Sequence, residues 1–403
     1  MKRQFRYLAA AVVSAVFAML LQAAPARAAG ALDKADGIYV LTLEGSHYDM
    51  GFQQGSLLKD EITLVYKEYL YKKVFEEWTK QFAILGKGGP KAYSNPRGAL
   101  LDHAKAMEPF IPEEFKEEMH GLADGAGLKY EDVLILSSHV DYFAILCSTF
   151  VARGTRTADG SLIEGRNLDW AKGGLKELDA YTTVVVRKPD KGRAFASVIY
   201  PGIVGDLTTI NDAGVTVELN FSMAVEEENG DIGVPALILV RMLAQYAENV
   251  DQAEKIIRDS KRIAGYNVVV TDGKTNQARL IELTAKTVDT LDFNEDALYT
   301  TNHFITPALA GKNIEAGNFS SSSPSPERYA RLGELLAEHN GAITPEIAQA
   351  MMHDNGVMVS GTVQTVVLRP ATFDFWVWAR NRDLGDFVHF NLKDFLAPAP
   401  GTD

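Results

Sequence analysis

Cysteine is almost absent: the chain has one, Cys147, in 403 residues. That count excludes a disulfide framework, a zinc ribbon and an iron–sulfur site. Positive charge is also scarce. Forty Lys and Arg stand against 53 Asp and Glu, a net charge of −13, the reverse of a general nucleic-acid binder's balance. There is no His-Glu-x-x-His, and the eight His are scattered, which argues against a zinc protease. The Gly-x-Ser-x-Gly elbow of α/β-hydrolases is missing. So are the P-loop and the dinucleotide fingerprint, so nothing supports a nucleotide function. Repeats, heptads and low-complexity segments are absent too, apart from a short Ser run at 320–323. No cofactor and no metal is expected.

What remains is an ordinary globular composition, 46% apolar and 23% charged. One apolar run stands out, Leu8 to Leu21, broken only by Ser14 and preceded by Lys2, Arg3 and Arg6. Ala26-Arg27-Ala28 follows as a small-x-small cleavage pattern. Residues 1–28 are therefore expected to be a signal peptide, and the protein to be exported, periplasmic or secreted. The run is short for a spanning helix, so no membrane association is expected once the leader is removed. Its loss takes four positive charges away and leaves a still more acidic chain. In an oxidising compartment a thiol without a partner is a liability. Cys147 is then either a buried thiol packed as a small hydrophobe or a reactive one.

Residues 29–146 read as mainly helical. A short strand at Ile38–Leu43 precedes a long helix from His47 to about Lys80, in which Ile62, Val65 and Tyr69 keep helical spacing. Helices are expected around Gly98–Met107, from Pro112, and from Tyr130 to Val140. At Cys147 the pattern changes to strands, at Ser148–Arg153, Ser161–Glu164, Thr182–Arg187, Ala194–Tyr200, Leu207–Ile210 and Val215–Leu219. Helices at Pro235–Ala247 and Val250–Arg262 follow. Strands at Val268–Thr271 and Arg279–Leu283, a helix at Pro326–Glu338 and three closing strands complete residues 147–403. Runs of strands separated by pairs of helices suit two sheets packed face to face, with helices outside.

Cys147-Ser148-Thr149-Phe150 opens a strand, and a hairpin brings back Arg166-Asn167-Leu168-Asp169-Trp170. This stretch resembles the autoproteolytic cysteine acyltransferase/hydrolase family typified by acyl-coenzyme A:6-aminopenicillanic acid acyltransferase. More distantly it is similar to the choloylglycine hydrolases. Further segments carry the resemblance: Gly45 to Gly55, Glu118 to Leu128, Asn211-Asp212-Ala213-Gly214 with Leu219-Asn220-Phe221, Thr301-Asn302-His303-Phe304, and Ser325, Arg328 and Arg331. The resemblance implies an α+β, four-layer αββα sandwich of two antiparallel sheets, the N-terminal-nucleophile hydrolase fold, with a helical N-terminal pro-segment. Family members often carry a small residue before the nucleophile; here it is Leu146.

The implied chemistry begins with self-cleavage between Leu146 and Cys147. The new α-amine of Cys147, with an ordinary pKa of about 7.7–8.0, then serves as general base without a His. Cys147 would attack the amide of an N-acylated small molecule, forming an acyl-enzyme that water or an amine resolves; the alternatives are an ester or phospholipid hydrolase and a non-catalytic binding protein on the same scaffold. Arg166 would favour the thiolate, Asp169 would hold the α-ammonium, and Asn220 and Asn302 would donate to the oxyanion. Arg328 would fix Asp169. The pro-segment would stay on as a small chain. Each residue has a structural reading as well. Arg166 and Asp169 could form a hairpin ion pair, Asn220 could end a strand, Asn302 could sit in a turn, and Arg328 could be a solvated helix residue. Trp170 fits core or pocket wall better than chemistry.

Overall fold

The fold is a computed structural model that describes residues 30–78, 94–141, 146–169, 176–222, 232–263, 265–313, 325–380 and 385–397. The expected leader, Trp170 and the Ser run at 320–323 lie outside these residues. Strand-forming stretches rich in Val, Ile and Thr give fifteen strands among the described residues. In chain order they are β1 Ala31–Ala35, β2 Ile38–Gly45, β3 Leu146–Ala152, β4 Ile163–Asp169, β5 Thr183–Pro189, β6 Phe195–Ile199, β7 Thr208–Asn211 and β8 Val215–Phe221. Then come β9 Tyr266–Asp272, β10 Gln277–Leu283, β11 Val288–Asp292, β12 Ala297–Thr300, β13 Thr362–Arg369, β14 Asp374–Ala379 and β15 Val388–Asn391. They form a nine-stranded sheet, β1-β2-β5-β6-β7-β8-β9-β10-β11, and a six-stranded sheet, β12-β3-β4-β13-β14-β15. Every ladder is antiparallel except that of β2 with β5.

The two sheets face one another, with helices on both outer faces. His47–Leu57, Glu113–Ala126, Ala236–Tyr246 and Val250–Asp259 lie on the side of the larger sheet, and Ser325–Glu338 and Pro345–Met352 on the smaller. This is the four-layer αββα arrangement. Between the sheets, Val184, Val186, Val198 and Ile210 pack against Val366, Leu368 and Val377 at one end. At the other, Val151 and Leu162 meet Val269 and Leu280. Each such side chain, fully buried, contributes about 1.5–3 kcal/mol. The middle of the layer is polar: Thr149, Glu164, Arg166, Thr208, Glu218 and Asn220 are all buried.

The chain before Cys147 is part of this frame. It carries two strands, not the single one expected, and β2 lies inside the larger sheet between β1 and β5. The long helix expected from His47 breaks at Leu58 into His47–Leu57 and Lys59–Leu64, then continues as a widened π-type helix, Val65–Trp78. Helix His47–Leu57 presses on Glu113–Ala126 through glycines. A Cβ on Gly51 would lie 2.0 Å from the Glu118 carbonyl oxygen, and one on Gly121 2.0 Å from that of Tyr48. Gly55 and Gly125 meet the opposite backbone somewhat less closely, at 2.5 and 2.4 Å.

That contact holds a buried ionic cluster against the larger sheet. Glu118 accepts from His47 Nδ1 at 2.9 Å and from Arg241 Nη2 at 2.9 Å, with Arg187 Nε 3.3 Å away. Arg187 Nη1 donates to Asp206 at 2.9 Å. Burial would raise the Glu118 carboxyl, but Arg241, His47 and Arg187 hold it down at about 2. Among the described residues no helix is long and apolar enough to cross a membrane.

Candidate active site

β3 and β4 are adjacent antiparallel strands that place Cys147 opposite Leu168 and Thr149 opposite Arg166. Side chains alternate along a strand. Cys147 and Arg166 therefore share the inner face, while Asn167 and Asp169 share the outer one. Asn167 confirms the alternation, since its Nδ2 donates to the Met352 carbonyl of the outer helix at 2.7 Å.

Cys147 is fully buried. Arg166 Nη2 donates to its Sγ at 3.1 Å and to the Leu219 carbonyl at 2.7 Å, and Nη1 donates to Thr208 Oγ1 at 2.9 Å. The thiol is pushed up by burial. Arg166 pulls it back, Asp169 raises it, and Arg328 and the Asp169 backbone N–H lower it again. Burial wins, so the thiol lies above its ordinary value, and the guanidinium beside the sulfur offsets part of the cost of a thiolate.

The backbone nitrogen of Cys147 has its own holder. It donates to Asn302 Oδ1 at 3.0 Å. Arg328 Nη2 donates to the same oxygen at 2.6 Å, while its Nη1 reaches the Cys147 carbonyl at 2.8 Å and Asp169 at 3.2 Å. Thr362 Oγ1 donates to the other Asp169 oxygen at 2.6 Å. Burial raises the Asp169 carboxyl, with Arg328 and Thr362 opposing. Ser325, at the start of its helix, accepts from the Asn302 N–H at 2.7 Å and lies 2.7 Å from His303 Nδ1. Burial holds His303 below the usual imidazole range, with Arg328 adding to the effect.

All six residues singled out from the sequence thus fall in one region, with differences in detail. Arg328 is buried at the centre of the site, not a solvated helix arginine. Asn302 acts as an acceptor toward Cys147, and its Nδ2 is engaged by the Phe221 carbonyl at 2.7 Å. Both ends of this amide are thus already engaged. Asn220 lies in the polar middle layer: its Oδ1 accepts from Thr149 at 3.2 Å, and its Nδ2 makes only a long 3.4 Å bond to the Thr300 carbonyl. Leu146 is half-buried opposite Asp169. Arg331 serves the surface, pairing with Asp354, Glu334 and Glu338. Asn211 is a turn residue whose Oδ1 accepts from Ala213 and Val215 N–H groups. Thr208, Thr362, Glu164 and Glu218 were not anticipated. A buried threonine or glutamate in a strand carries no local sequence mark.

A four-layer αββα sandwich, with a cysteine near the start of an inner strand beside two arginines, an aspartate and an asparagine, has the layout of the N-terminal-nucleophile hydrolase fold. The family model described as acyl-coenzyme A:6-aminopenicillanic acid acyl-transferase matches residues 155–367. The chain belongs to that family. The matched region carries Arg166, Asp169, Asn220, Asn302 and Arg328, and starts after Cys147. An uncharacterized protein of Archaeoglobus fulgidus is 27% identical over 364 residues, covering 78% of this chain and 57% of that one. Protein dcd1A of Dictyostelium discoideum is 27% identical over 267 residues, covering 63% and 60%. The chain thus spans somewhat more than half the length of these curated relatives. Among solved structures, a Caenorhabditis elegans ortholog of N-acylethanolamine-hydrolyzing acid amidase aligns with TM-score 0.44 and 16% identity, over 56% of this chain and 93% of that one. Penicillin V acylase from Agrobacterium tumefaciens aligns with TM-score 0.41 and 13% identity, over 61% and 86%.

Proposed function

We propose that this protein is an exported hydrolase that cleaves the linear C–N amide bond of an N-acylated small molecule through an acyl-enzyme on Cys147. The observation that carries the reading is the pairing at one residue: Sγ against Arg166 at 3.1 Å and the backbone nitrogen against Asn302 at 3.0 Å. Nucleophile and base would be two ends of the same residue, each held by its own partner.

Maturation comes first. Sγ attacks the Leu146 carbonyl carbon, the C–N bond to Cys147 breaks as the nitrogen gains a proton, and a thioester forms. Water hydrolyses it, leaving a carboxylate on Leu146 and a free amine on Cys147. The amine stays in the Asn302 and Arg328 cradle. In turnover it takes the thiol proton as sulfur attacks the substrate carbonyl, and gives that proton to the departing amine. It then takes a proton from the water that cleaves the acyl-enzyme. Asn220 Nδ2, the less engaged amide donor, is the group we assign to the oxyanion. Such a donor is worth about 2.7–4 kcal/mol. Acyl transfer to an amine in place of water is a second reading, favoured by the family's description. Export follows from the leader pattern alone. Because β2 lies inside the larger sheet, the two pieces would remain one particle after cleavage.

The test is the intact mass and N-terminal sequence of the purified chain beside Cys147→Ala. We expect two co-purifying pieces, the larger starting at Cys147, and one uncut chain in the variant. Turnover of N-acyl amides, with and without added amine acceptors, would follow. An uncut wild-type chain with no amide turnover would overturn the reading.

A further inference from the structure

Two glutamates in the polar middle layer have no place in the chemistry above. Glu164 stands two residues before Arg166 on β4, so both point inward. Glu218 faces them from β8, paired across the ladder with Thr208, the residue that accepts from Arg166 Nη1. Both glutamates are fully buried, and the only hydroxyls that ease their charge are Thr216 beside Glu164 and Thr149 beside Glu218. Both hydroxyls are shared with other partners: Thr149 also lies 3.2 Å from Asn220 Oδ1, and Thr216 is paired with Thr271 at 2.6 Å.

Two unsolvated carboxylates cannot both stay ionised side by side. Burial pushes both up. Glu164 is raised further by Glu218, whereas Glu218 is pulled back by Arg166. Arg166 in turn is a buried cation whose hydrogen bonds go to a sulfur, a hydroxyl and a carbonyl, none of them a carboxylate. Its Nε has no partner. A buried guanidinium needs a counter-charge nearby, and Glu218 is the acid whose titration it governs.

We propose that Glu164 and Glu218 share one negative charge, carried by Glu218 while Glu164 keeps its proton, and that this charge sets the acidity of the Cys147 thiol through Arg166. The inference rests on the reading of Cys147 as nucleophile. Glu218 is thus a positioning residue. Its carboxylate draws on the same guanidinium that would stabilise the thiolate, and so keeps the sulfur less acidic. The other charged groups around the sulfur are Asp169 and Arg328, which act from the outer, helix side of the smaller sheet. From the larger sheet, β7 and β9 present Thr208, Asn267 and Thr271, all neutral. Glu282 on β10 is occupied by the N–H groups of Ile305 and Thr306.

The chain's single cysteine makes the thiolate directly readable. The full chain would be titrated by ultraviolet absorbance of the thiolate, with Cys147→Ala in the same background subtracted. Glu218→Gln is expected to lower the thiol midpoint by roughly one unit, about a tenfold larger thiolate fraction below it. Glu164→Gln, which resembles the protonated acid, should move it far less, yet abolish an infrared carbonyl band from an unsolvated protonated carboxyl. Folded Glu218→Gln with an unmoved midpoint, equal shifts in both variants, or no such infrared band in the wild type would each overturn the proposal. This titration reads the sulfur whether or not the chain is cut. An uncut chain would therefore count against the maturation scheme, and an unmoved midpoint against the glutamate pair.

Discussion

Asn302 shows how one side chain can organise a site. Its Oδ1 takes hydrogen bonds from Cys147 N and Arg328, and its Nδ2 anchors on the Phe221 carbonyl. Asn302→Leu keeps the volume and removes all three. A hydrogen bond to a charged group is worth about 1.5–3 kcal/mol. Loss of the cradle should therefore cut kcat by roughly 10- to 100-fold on that scale, with KM little changed because the amine does not bind the substrate. Steady-state kinetics of the cleaved chain beside the variant would show it; an unchanged kcat would remove Asn302 from the mechanism. Cys147, Arg166 and Asp169 were legible because they sit within one hairpin, where spacing alone brings them together. Asn302 and Arg328 were legible only through the family pattern. Their true partners, and the acceptor role of Asn302, depend on strand pairings far apart in the chain. The Glu164–Glu218 pair and Thr208 could not be read at all, since nothing local distinguishes a buried Glu or Thr from a solvated one.

At the level of elements, strand existence was the most readable feature. The alternation at residues 148–153, 161–164, 182–187 and 215–219 leads to β3, β4, β5 and β8. Their order was not readable, least of all the parallel pairing of β2 with β5, because it depends on which edges meet in space. β11 and β12 are short and carry mixed patterns, so they escaped notice. Gly51 and Gly55 serve packing, as their contact with the second helix shows. Gly51 and Gly121 let the backbones of His47–Leu57 and Glu113–Ala126 touch. Gly51→Ala and Gly121→Ala each force a methyl group onto a carbonyl oxygen that belongs to a helix backbone and cannot swing away. Overpacking of this kind costs about 1–3 kcal/mol or more. Denaturant midpoints should fall in both variants, whereas Gly160→Ala, at an open turn with nothing within 4 Å, should lose only the smaller strain of its positive φ. Equal losses at all three positions would show that close helix approach is not the cause.

At the scale of the whole molecule, the sandwich joins both sides of Cys147 into one cooperative body, tied by charge as well as by sheet. Glu118 and His47 come from before Cys147; Arg187, Asp206 and Arg241 come from after it. The Glu118 carboxyl is held at about 2 in the folded chain, against about 4.3 when unfolded. A carboxyl lowered on folding contributes stability in full above about pH 4.3, and loses it as pH falls toward 2. His139 acts in a higher window. Burial pushes its imidazole down to about 4, against about 6.5 unfolded, so its contribution is complete above about 6.5 and declines from there to 4. Asp141 has the opposite sign. Burial raises it to about 7, so stability drawn from its neutral form fades as pH rises from about 4 to 7. It offsets part of the His139 effect over the same range, and below about pH 4 its contribution is complete and no longer changes. The unopposed acid loss should therefore fall below about pH 4.3 and trace to Glu118. Glu118→Gln leaves Arg241 and Arg187 short of charge and should cost about 3–5 kcal/mol at pH 7. The variant should also lose less further stability than wild type between pH 4.3 and 2. Urea unfolding of both proteins at pH 7, 4.5 and 3 separates the two effects. Parallel pH curves would mean that the acid sensitivity lies in other carboxylates, and that the buried cluster holds the two halves together by shape alone.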